Sequence, residues 1–256
     1  MNIDYCLLNP NQNITILVET YVERKFQPFV AKKLMEAEPS CEQVGFVEKD
    51  MLQMAGGEFC GNATICYAAL LNENIEINAQ KSLSLRVSGA DTNVDVSLAK
   101  TAQNEFSAVV TMPKAISYKK IMLSVENESK EFYSVEFNGI THIISLESFS
   151  KKLAEKLCVE WCNTLMCDAL GIMFLSEDLS NVIPLVYVKK SNTLFWESSC
   201  ASGTAAVGVY LKETYNNSFK YLKFPAGVLG VEVKDGKILL HGKTIIIKHS
   251  NISISF

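Results

Sequence analysis

The 256-residue sequence lacks the features that mark membrane, secreted and nucleic-acid-binding proteins. No apolar run approaches the ~18 residues that a membrane-spanning helix needs. The formal net charge is only −4, so composition gives no reason to expect nucleic acid or a membrane surface as a partner. The first residues lack the basic and then apolar pattern of a signal peptide, and we therefore expect a cytoplasmic protein.

Histidine is scarce, and the cysteines lack the spacing of a metal site. The chain has 8 cysteines and 3 histidines but no C-x-x-C pair. Cys158, Cys162 and Cys167 are near neighbours, yet the histidines are scattered, so we predict no metal site. Without a signal peptide, these cysteines indicate reduced thiols rather than a disulfide framework. The 48% hydrophobic content is enough for one large domain or two ordinary ones.

Two cysteines stand out because each opens a similar short motif. The motifs are GGEFCGNAT at 56–64 and WESSCASGT at 196–204, and an apolar run with helical character follows each. This pattern predicts that Cys60 and Cys200 lie at the N-termini of buried helices. Unpaired backbone N–H groups and the positive end of the helix dipole converge there, which favours a thiolate and offers donors to an anion.

The rest of the chain predicts a mixed α/β (α+β) protein of short strands. Besides the two motif helices, apolar spacing predicts helices over 26–37 and 149–161. Strands are predicted at 13–18, 41–47, 83–98 (a pair around a turn near Gly89), 106–112, 131–145, 167–174, 182–188, 221–224, 228–233, 238–240 and 244–248. Any domain boundary then falls in the polar stretch between Pro113 and Lys130, and we place it at 116/117.

The order of these elements suggests an internal duplication. Cys41-Glu42-Gln43-Val44-Gly45-Phe46 matches 167–172 at an offset of 126 (167 − 41), and Cys60 matches Cys200 at an offset of 140 (200 − 60). A third block, 85–96, matches 222–233 at an offset of 137. Because three blocks recur in one order, we expect two similar halves, with a longer hairpin near 176–191 in the second half.

The duplication has a chemical consequence. Two similar domains that face each other would bring Cys60 and Cys200 to one substrate from opposite sides. One thiolate would remove a proton from a stereocentre and the other thiol would return one, so the configuration would invert. This arrangement predicts a cofactor-independent racemase or epimerase. The N–H groups that we expect to hold a substrate carboxylate and stabilise the carbanion lie around Gly61, Asn62, Ala201 and Ser202.

The motifs also resemble those of the diaminopimelate epimerases, two-base enzymes that work without pyridoxal phosphate. The resemblance is closer still to the histidine racemases that supply D-histidine for staphylopine-type metallophores. It is carried by residues 9–18 (NPNQNITILV), 41–46 (CEQVGF), 58–64 and 196–204. It implies the epimerase fold, in which two pseudo-symmetric domains each wrap a curled sheet around a central helix, with the active site in the cleft between them. It also implies domains over 1–116 and 117–248, with a last strand near 249–256 that returns to the first.

The chain departs from the diaminopimelate epimerases where they hold the distal end of their substrate. The segment before Cys200 has no arginine, and two substrate-contacting asparagines of that family align near Ile140 and Ala169. A pocket without these groups would leave a second zwitterionic head unpaired, which discriminates strongly. We therefore expect a substrate other than diaminopimelate.

Two residues outside the cysteine motifs are candidates for substrate binding. Asn13 aligns with a substrate-contacting asparagine of the family, although it could simply end a turn. Glu42 either faces solvent or stands at the pocket rim, where a carboxylate suits an imidazole or another N–H-bearing side chain. Its repeat partner Asp168 is interpreted as structural, and His142, which lies in a strand pattern, as a core histidine.

The other cysteines and two glutamates have simpler interpretations. Glu58 and Glu197 can cap or orient the motif loops, but an acidic group raises the pKa of a nearby thiol, so they are not predicted to activate one. The cysteines interpreted as core thiols are Cys41, Cys66, Cys158 and Cys162.

The sequence thus predicts a cytoplasmic amino-acid racemase that interconverts L- and D-histidine through Cys60 and Cys200, for metallophore biosynthesis. Its expected partner is a small-molecule amino acid, with neither nucleic acid nor a membrane, and a homodimer remains open. One alternative is a diaminopimelate epimerase or a racemase of another amino acid. Outside the enzymes, the alternative is a thiol-based redox or ligand-binding protein on the same fold.

Overall fold

The computed structural model describes residues 1–190 and 192–255 of the chain. It divides into two compact units: unit 1 is Met1–Thr111 with Leu240–Phe256, and unit 2 is Met112–Leu239. The sequence placed these boundaries at 116/117 and about 248/249. The units divide at 111/112, at the end of the strand Glu105–Met112, and at 239/240, near the start of the strand Lys237–Ser253.

Unit 1 begins with seven strands and two helices. The strands are β1 (Asn2–Pro10), β2 (Thr15–Val18), β3 (Gln43–Glu48), β4 (Met51–Met54), β5 (Gln80–Val87), β6 (Val94–Ala102) and β7 (Glu105–Met112). The helices are α1 (Gln27–Ala37), which follows a short 3-10 turn at Arg24–Phe26, and α2 (Gly61–Leu71).

In its described residues, 112–190 and 192–239, unit 2 holds eight strands and the other two helices. The strands are β8 (Ser117–Val125), β9 (Glu128–Phe137), β10 (Ile140–Ser145), β11 (Ala169–Leu175), β12 (Val182–Val188), β13 (Thr193–Trp196), β14 (Phe219–Lys223) and β15 (Val228–Lys234). The helices are α3 (Lys151–Thr164) and α4 (Ala201–Tyr215).

The last strand, β16 (Lys237–Ser253), closes the sheet of unit 1. Within unit 1 the strand order is β1-β2-β3-β4-β5-β6-β7-β16, and β16 also pairs with β1. The first strand of this run, β1, and its seventh, β7, therefore both pair with β16. The sequence predicted separate strands at 238–240, 244–248 and about 249–256, whereas the structure has one long strand; Phe256 lies outside the described residues. Gly242 and a bulge opposite Leu7 interrupt the alternation that would have identified it as continuous.

Each unit wraps its strands around one buried helix. In unit 1, α2 is buried from Gly61 to Ala69 and contacts β1, β2, β5 and β6. In unit 2, α4 contacts β9, β10, β11, β14 and β15. Both sequences are apolar nearly all round, which is typical of helices without a solvent face. No helix in the described part of the chain combines the length and apolar character needed to cross a membrane.

The other two helices are amphipathic and pack outside the sheets. α1 lies on β3, with Val30 and Leu34 in a core that includes Phe46. α3 lies on β11 and β12, with Leu157 and Trp161 in a core of its own. One apolar stripe on each helix is enough to bury it on a sheet.

The two units repeat the same pairing pattern, as the duplication predicted. In unit 1, β1–β2 is antiparallel, β2–β3 is parallel across α1, and β3–β4 is antiparallel. In unit 2, β9–β10, β10–β11 across α3, and β11–β12 follow the same order. The buried helix comes next in each unit. The extra hairpin expected near 176–191 is β12–β13, apart from Ser191, which lies outside the described residues.

The sequence predicted no strand at the positions of β1, β4 and β8. β1 carries a continuous apolar stretch rather than clean alternation, because several of its residues are buried in succession. β8 lies in the polar stretch where the domain boundary was expected, and it pairs along its whole length with β9. Only Leu123 and Val125 of β8 are buried, so its sequence resembles a linker.

Candidate active site

Cys60 lies at the N-terminus of α2, where its thiol caps the helix. It is the N-cap residue, with extended backbone angles (φ −132°, ψ 112°), and the Ala63 N–H donates to its Sγ at 3.4 Å. The Thr64 hydroxyl donates to the Cys60 carbonyl oxygen at 2.8 Å. The first of these bonds satisfies an N–H that the first turn leaves unpaired, and it holds the sulfur at the positive end of the helix dipole.

A chain of side-chain hydrogen bonds connects Cys60 with the two other candidates of unit 1. The Cys60 thiol donates to Gln43 Oε1 at 3.0 Å, and Gln43 Nε2 donates to Asn13 Oδ1 and Thr15 Oγ1, each at 2.7 Å. Asn13 Nδ2 in turn donates to Glu42 Oε2 at 2.7 Å. The structure therefore brings together Cys60, Asn13 and Glu42.

Gln43 and Thr15 were missed by the sequence reasoning, although Gln43 lies in the block that carries the resemblance. The parallel pairing of β2 with β3 places these two residues directly opposite each other. Thr15 Oγ1 donates to the Asn13 carbonyl oxygen, so it accepts from Gln43, and the Gln43 amide must direct its NH₂ there. Its oxygen is thereby fixed toward Cys60.

The loop before Cys60 is held by the end of β5. Ser88 Oγ accepts from the Met54 N–H at 2.9 Å and donates to the Glu58 carbonyl oxygen at 2.8 Å. Gly89 has a φ of +72°, and a Cβ there would lie 2.1 Å from the Phe59 nitrogen. A glycine is needed at this position both for the backbone conformation and for the close approach of the loop.

Cys200 repeats the Cys60 geometry at the start of α4. Its backbone angles are φ −134° and ψ 113°, and the Gly203 N–H donates to its Sγ at 3.4 Å. The Thr204 hydroxyl donates to the Cys200 carbonyl oxygen at 2.6 Å. The prediction that both cysteines lie at helix N-termini is thus confirmed, and the two thiols occupy the same local setting in their units.

The polar neighbours of Cys200 differ from those of Cys60. Ser202 Oγ lies 3.5 Å from Cys200 Sγ, and His142 Nε2 lies 2.9 Å from Ser202 Oγ. His142 is fully buried, as a core histidine would be, but the structure also connects it to a candidate catalytic thiol. No pattern in the sequence indicates this link, because the two residues are brought together by the packing of α4 on β10.

Cys200 is the more buried of the two thiols, and its surroundings oppose its ionisation. Burial raises the pKa of Cys200 well above its usual value, and the nearby Glu197 raises the pKa further. Hydrogen bonds from Ser202 and from the Gly203 N–H act in the opposite direction. As the sequence indicated, Glu197 is therefore not an activator of the thiol.

The remaining predicted site residues lie in the first turns of the two buried helices or near them. Gly61 and Asn62 begin α2, and both are buried. Ala201 is buried and Ser202 half-buried at the start of α4. The N–H groups of such turns have no acceptor within the helix. Asp168, the repeat partner of Glu42, is exposed just before β11.

The cysteines predicted to be core thiols are buried. Burial raises the pKa of Cys41 to about 11 and the pKa of Cys158 to about 12, so neither is poised for acid–base chemistry near neutral pH. Cys66 and Cys162 are buried as well. In the described ranges, 1–190 and 192–255, no group of three or more histidine, cysteine, aspartate or glutamate side chains is arranged to hold a metal ion.

Comparison with known proteins relates this chain to racemases. The sequence profile described as "Histidine racemase CntK N-terminal domain" matches residues 2–250. The chain is 33% identical over 260 residues to a histidine racemase of Fusobacterium nucleatum subsp. nucleatum (strain ATCC 23726 / VPI 4351), covering 98% of this chain and 97% of the relative. It is 29% identical over 231 residues to a histidine racemase of Staphylococcus aureus (strain Mu50 / ATCC 700699), covering 85% and 83%.

Among solved structures, the fold is similar to that of a protein described as a predicted epimerase from Pseudomonas aeruginosa. The TM-score is 0.70 at 12% identity, covering 99% of this chain and 100% of that one. At this identity the likeness concerns the fold alone. The predicted fold class is confirmed: the chain has the α+β, two-domain fold of the diaminopimelate epimerase-like isomerases.

Proposed function

Because this chain belongs to the histidine racemase family and is an amino-acid racemase, we propose that it interconverts L- and D-histidine. The observation that carries the proposed mechanism is the identical placement of two thiols. Cys60 and Cys200 each cap a buried helix with an N–H···Sγ distance of 3.4 Å. A two-base racemase needs such an equivalent pair, since each group must serve as base in one direction and as acid in the other.

In this proposal the two thiols act on one α-carbon from opposite faces. The thiolate of one cysteine removes the α-proton, and the thiol of the other donates a proton to the opposite face. One S–H bond forms and one breaks, so the enzyme ends each turnover with its proton on the other sulfur. The N–H groups at the helix starts bind the α-carboxylate and stabilise the negative charge that spreads onto it. The residues assigned to this role are Gly61, Asn62, Ala201 and Ser202.

We assign recognition of the imidazole to Glu42 and Asn13. The Glu42 side chain is exposed, and its Oε2 is held at 2.7 Å by Asn13 Nδ2, which is buried. A carboxylate fixed in this way still has lone pairs for an imidazole N–H. The cluster also contains Cys60 through Gln43, so side-chain binding and proton transfer share one hydrogen-bonded network.

The substrate proposal disfavours diaminopimelate. The two positions that align with the substrate-contacting asparagines are Ile140, half-buried at the start of β10, and Ala169, buried at the start of β11. Neither side chain has a hydrogen-bonding group for a second zwitterionic head. We further propose that the enzyme is cytoplasmic and needs no cofactor. The resemblance of its motifs supports the proposal that it supplies D-histidine for metallophore biosynthesis.

The test is incubation of the pure enzyme with single amino acids in D₂O, without pyridoxal phosphate, followed by chiral chromatography and mass spectrometry. We expect L-histidine to give D-histidine that carries α-deuterium, while the remaining L-histidine stays largely protiated during early turnover. Lysine, glutamate and diaminopimelate should react far more slowly. Faster inversion of any of these would overturn the substrate assignment, and deuterium in the remaining substrate from the start would overturn the two-base mechanism.

A further inference from the structure

Three of the eight cysteines lie close together where α3 ends and β11 begins. Cys158 and Cys162 occupy successive turns of α3, and Cys167 follows the end of the helix by three residues. All three belong to one apolar core of unit 2 or pack against it. Cys162 Sγ and Cys167 Sγ are 3.7 Å apart, and both thiols are free. Neither thiol has a role in the proposed racemisation.

The backbone already brings Cys162 and Cys167 together. The Cys167 N–H donates to the Cys162 carbonyl oxygen at 3.2 Å, so the chain returns to the last turns of α3. Met166 makes this reversal with a φ of +53°. The Cys162 thiol also donates to the Cys167 carbonyl oxygen at 3.3 Å. Since a disulfide needs its sulfurs at about 2.05 Å, a short movement of the side chains separates the observed contact from a covalent bond.

Unit 1 contains one of these cysteines but not its partner. Cys41 precedes β3 as Cys167 precedes β11, and the two residues align in the repeated block. The sequence of α1 contains no cysteine, and the Cys41 thiol donates to the Gln43 carbonyl oxygen at 3.1 Å. One thiol therefore satisfies the packing at this place in the fold. The pair in unit 2 offers a chemistry that unit 1 lacks.

The two thiols of the pair differ in their access to solvent. Cys162 is completely buried, whereas Cys167 is half-buried. A small oxidant therefore reaches Cys167 first, and Cys162 reacts second. Burial and the neighbouring Cys162 raise the pKa of Cys167, while a hydrogen bond with the Thr141 side chain acts in the opposite direction. We expect the first step to be slow near neutral pH, because little of Cys167 is then thiolate.

We propose that Cys162 and Cys167 form a reversible disulfide that fastens the end of α3 to the start of β11. The oxidant is a low-molecular-weight disulfide. The Cys167 thiolate attacks one of its sulfurs, which breaks the small S–S bond and releases one small thiol. Cys162 then loses its proton and attacks the Cys167 sulfur of the mixed disulfide, which releases the second small thiol. Two protein thiols are oxidised and one small disulfide is reduced to two thiols; excess small thiol reverses both steps.

The second step is favoured because it is intramolecular. Contact between the sulfurs at 3.7 Å gives Cys162 an effective concentration far above that of a free small thiol. Cys158 directs its thiol elsewhere, to the Leu170 carbonyl oxygen at 3.5 Å. The disulfide should therefore join Cys162 with Cys167, and the mixed disulfide on Cys167 should not accumulate.

The test is peptide mapping of the whole protein after equilibration in glutathione buffers with a rising oxidised fraction. Acid quenching, followed by N-ethylmaleimide in denaturant, blocks the thiols that remain. Cleavage after Glu160 by Glu-C removes Cys158, and cyanogen bromide cleavage after Met166 separates the other two cysteines, so only a disulfide keeps 161–166 and 167–173 together. We expect this linked pair to exceed the glutathione adduct of Cys167 at least roughly 10-fold. Excess reduced glutathione should remove it.

Two variants test the order of the steps, and one cysteine of unit 1 is the control. Cys162→Ser should stop at the glutathione adduct of Cys167, because the contacting thiol has been removed. Cys167→Ser should leave Cys162 unmodified, because that thiol is completely buried. Cys41, the matched position in unit 1, should form no disulfide within the protein. Oxidised wild type should also melt at a higher temperature than the reduced form, a shift that Cys162→Ser should lack, since the cross-link restrains the unfolded chain.

The wild-type peptide map decides the proposal even if a variant does not fold. The proposal is wrong if the linked pair is absent at every glutathione ratio, or if Cys158 is cross-linked to either thiol in its place. An unchanged melting temperature after cross-linking would overturn the fastening of α3 to β11. None of these outcomes depends on racemase activity, because neither Cys60 nor Cys200 takes part.

Discussion

Glu42→Gln tests the substrate assignment with little disturbance of the surrounding structure. Glu42 Oε2 accepts a hydrogen bond from Asn13 Nδ2 at 2.7 Å, and the amide oxygen of a glutamine can accept the same bond. The Asn13–Gln43–Cys60 chain should therefore persist in the variant. The substitution removes the negative charge that we propose binds the imidazole N–H of the substrate.

The magnitude follows from the kind of hydrogen bond that is lost. A charge-assisted bond contributes about 1.5–3 kcal/mol, against about 1 kcal/mol for a neutral one. We therefore expect kcat/KM for histidine to fall roughly 10- to 150-fold. Slow α-proton exchange of alanine should hardly change, because an alanine side chain does not reach Glu42.

Asp168→Asn is the matched control for this experiment. Asp168 occupies the equivalent position in unit 2 and is exposed, and we expect its substitution to leave histidine turnover unchanged. The assay is chiral chromatography of L- and D-histidine with each variant, and α-proton exchange of alanine in D₂O followed by NMR. If Glu42→Gln turns over histidine as fast as wild type, or if both variants lose activity equally, Glu42 does not recognise the side chain.

Three further predictions concern the thiols, the buried histidine and the loop glycine. Cys60→Ser and Cys200→Ser should each nearly abolish racemisation, because a serine hydroxyl ionises far less readily than a thiol; full activity in either would refute the two-base assignment. Burial lowers the pKa of His142 from 6.5 to about 3, so the unfolded chain binds more protons at mildly acidic pH and the folded state loses stability as the pH falls. Between about pH 7 and pH 5, urea unfolding should show that wild type loses roughly 2 kcal/mol more stability than His142→Leu. Equal losses in the two proteins would contradict this. Gly89→Ala places a Cβ 2.1 Å from the Phe59 nitrogen at a φ of +72°, so it should lower the melting temperature and displace the Cys60 loop, with loss of turnover; unchanged activity would show that the loop is not held there.

The sequence predicted the central part of the fold because its signals are local. An apolar run after an N-capping cysteine is enough to identify α2 and α4 as buried helices. Amphipathic spacing located α1 and α3 to within a few residues. β8 and β16 were less accessible, since a strand with one solvated face and a strand interrupted by Gly242 both resemble loops in sequence. β16 pairs with β1, which is distant in the chain, and β8 is recognised only from its register with β9. A local pattern could not reveal either pairing.

The same distinction applies to the site. Cys60 and Cys200 were identified by motif, and Asn13 and Glu42 by resemblance, but Gln43 was not identified. Its role depends on lying opposite Thr15 in a parallel pair, which no local pattern encodes. His142 was interpreted as a core residue, and its burial agrees with that. Its link to Ser202 arises from helix packing across 60 residues of sequence and could be seen only in the structure.

The final strand makes the order of synthesis matter for this protein. Unit 2 is continuous in the chain, but unit 1 lacks one of its eight strands until β16 has been made. The Met1 amino group donates to the Ile254 carbonyl oxygen at 2.7 Å, so the two ends of the chain meet in the completed sheet. During synthesis, the sheet around α2 keeps an unpaired edge until all of unit 2 and then β16 have left the ribosome. Unit 2 can fold before that sheet is complete. Truncation before β16 would therefore leave unit 1, and the setting of Cys60, unfinished rather than merely shortened.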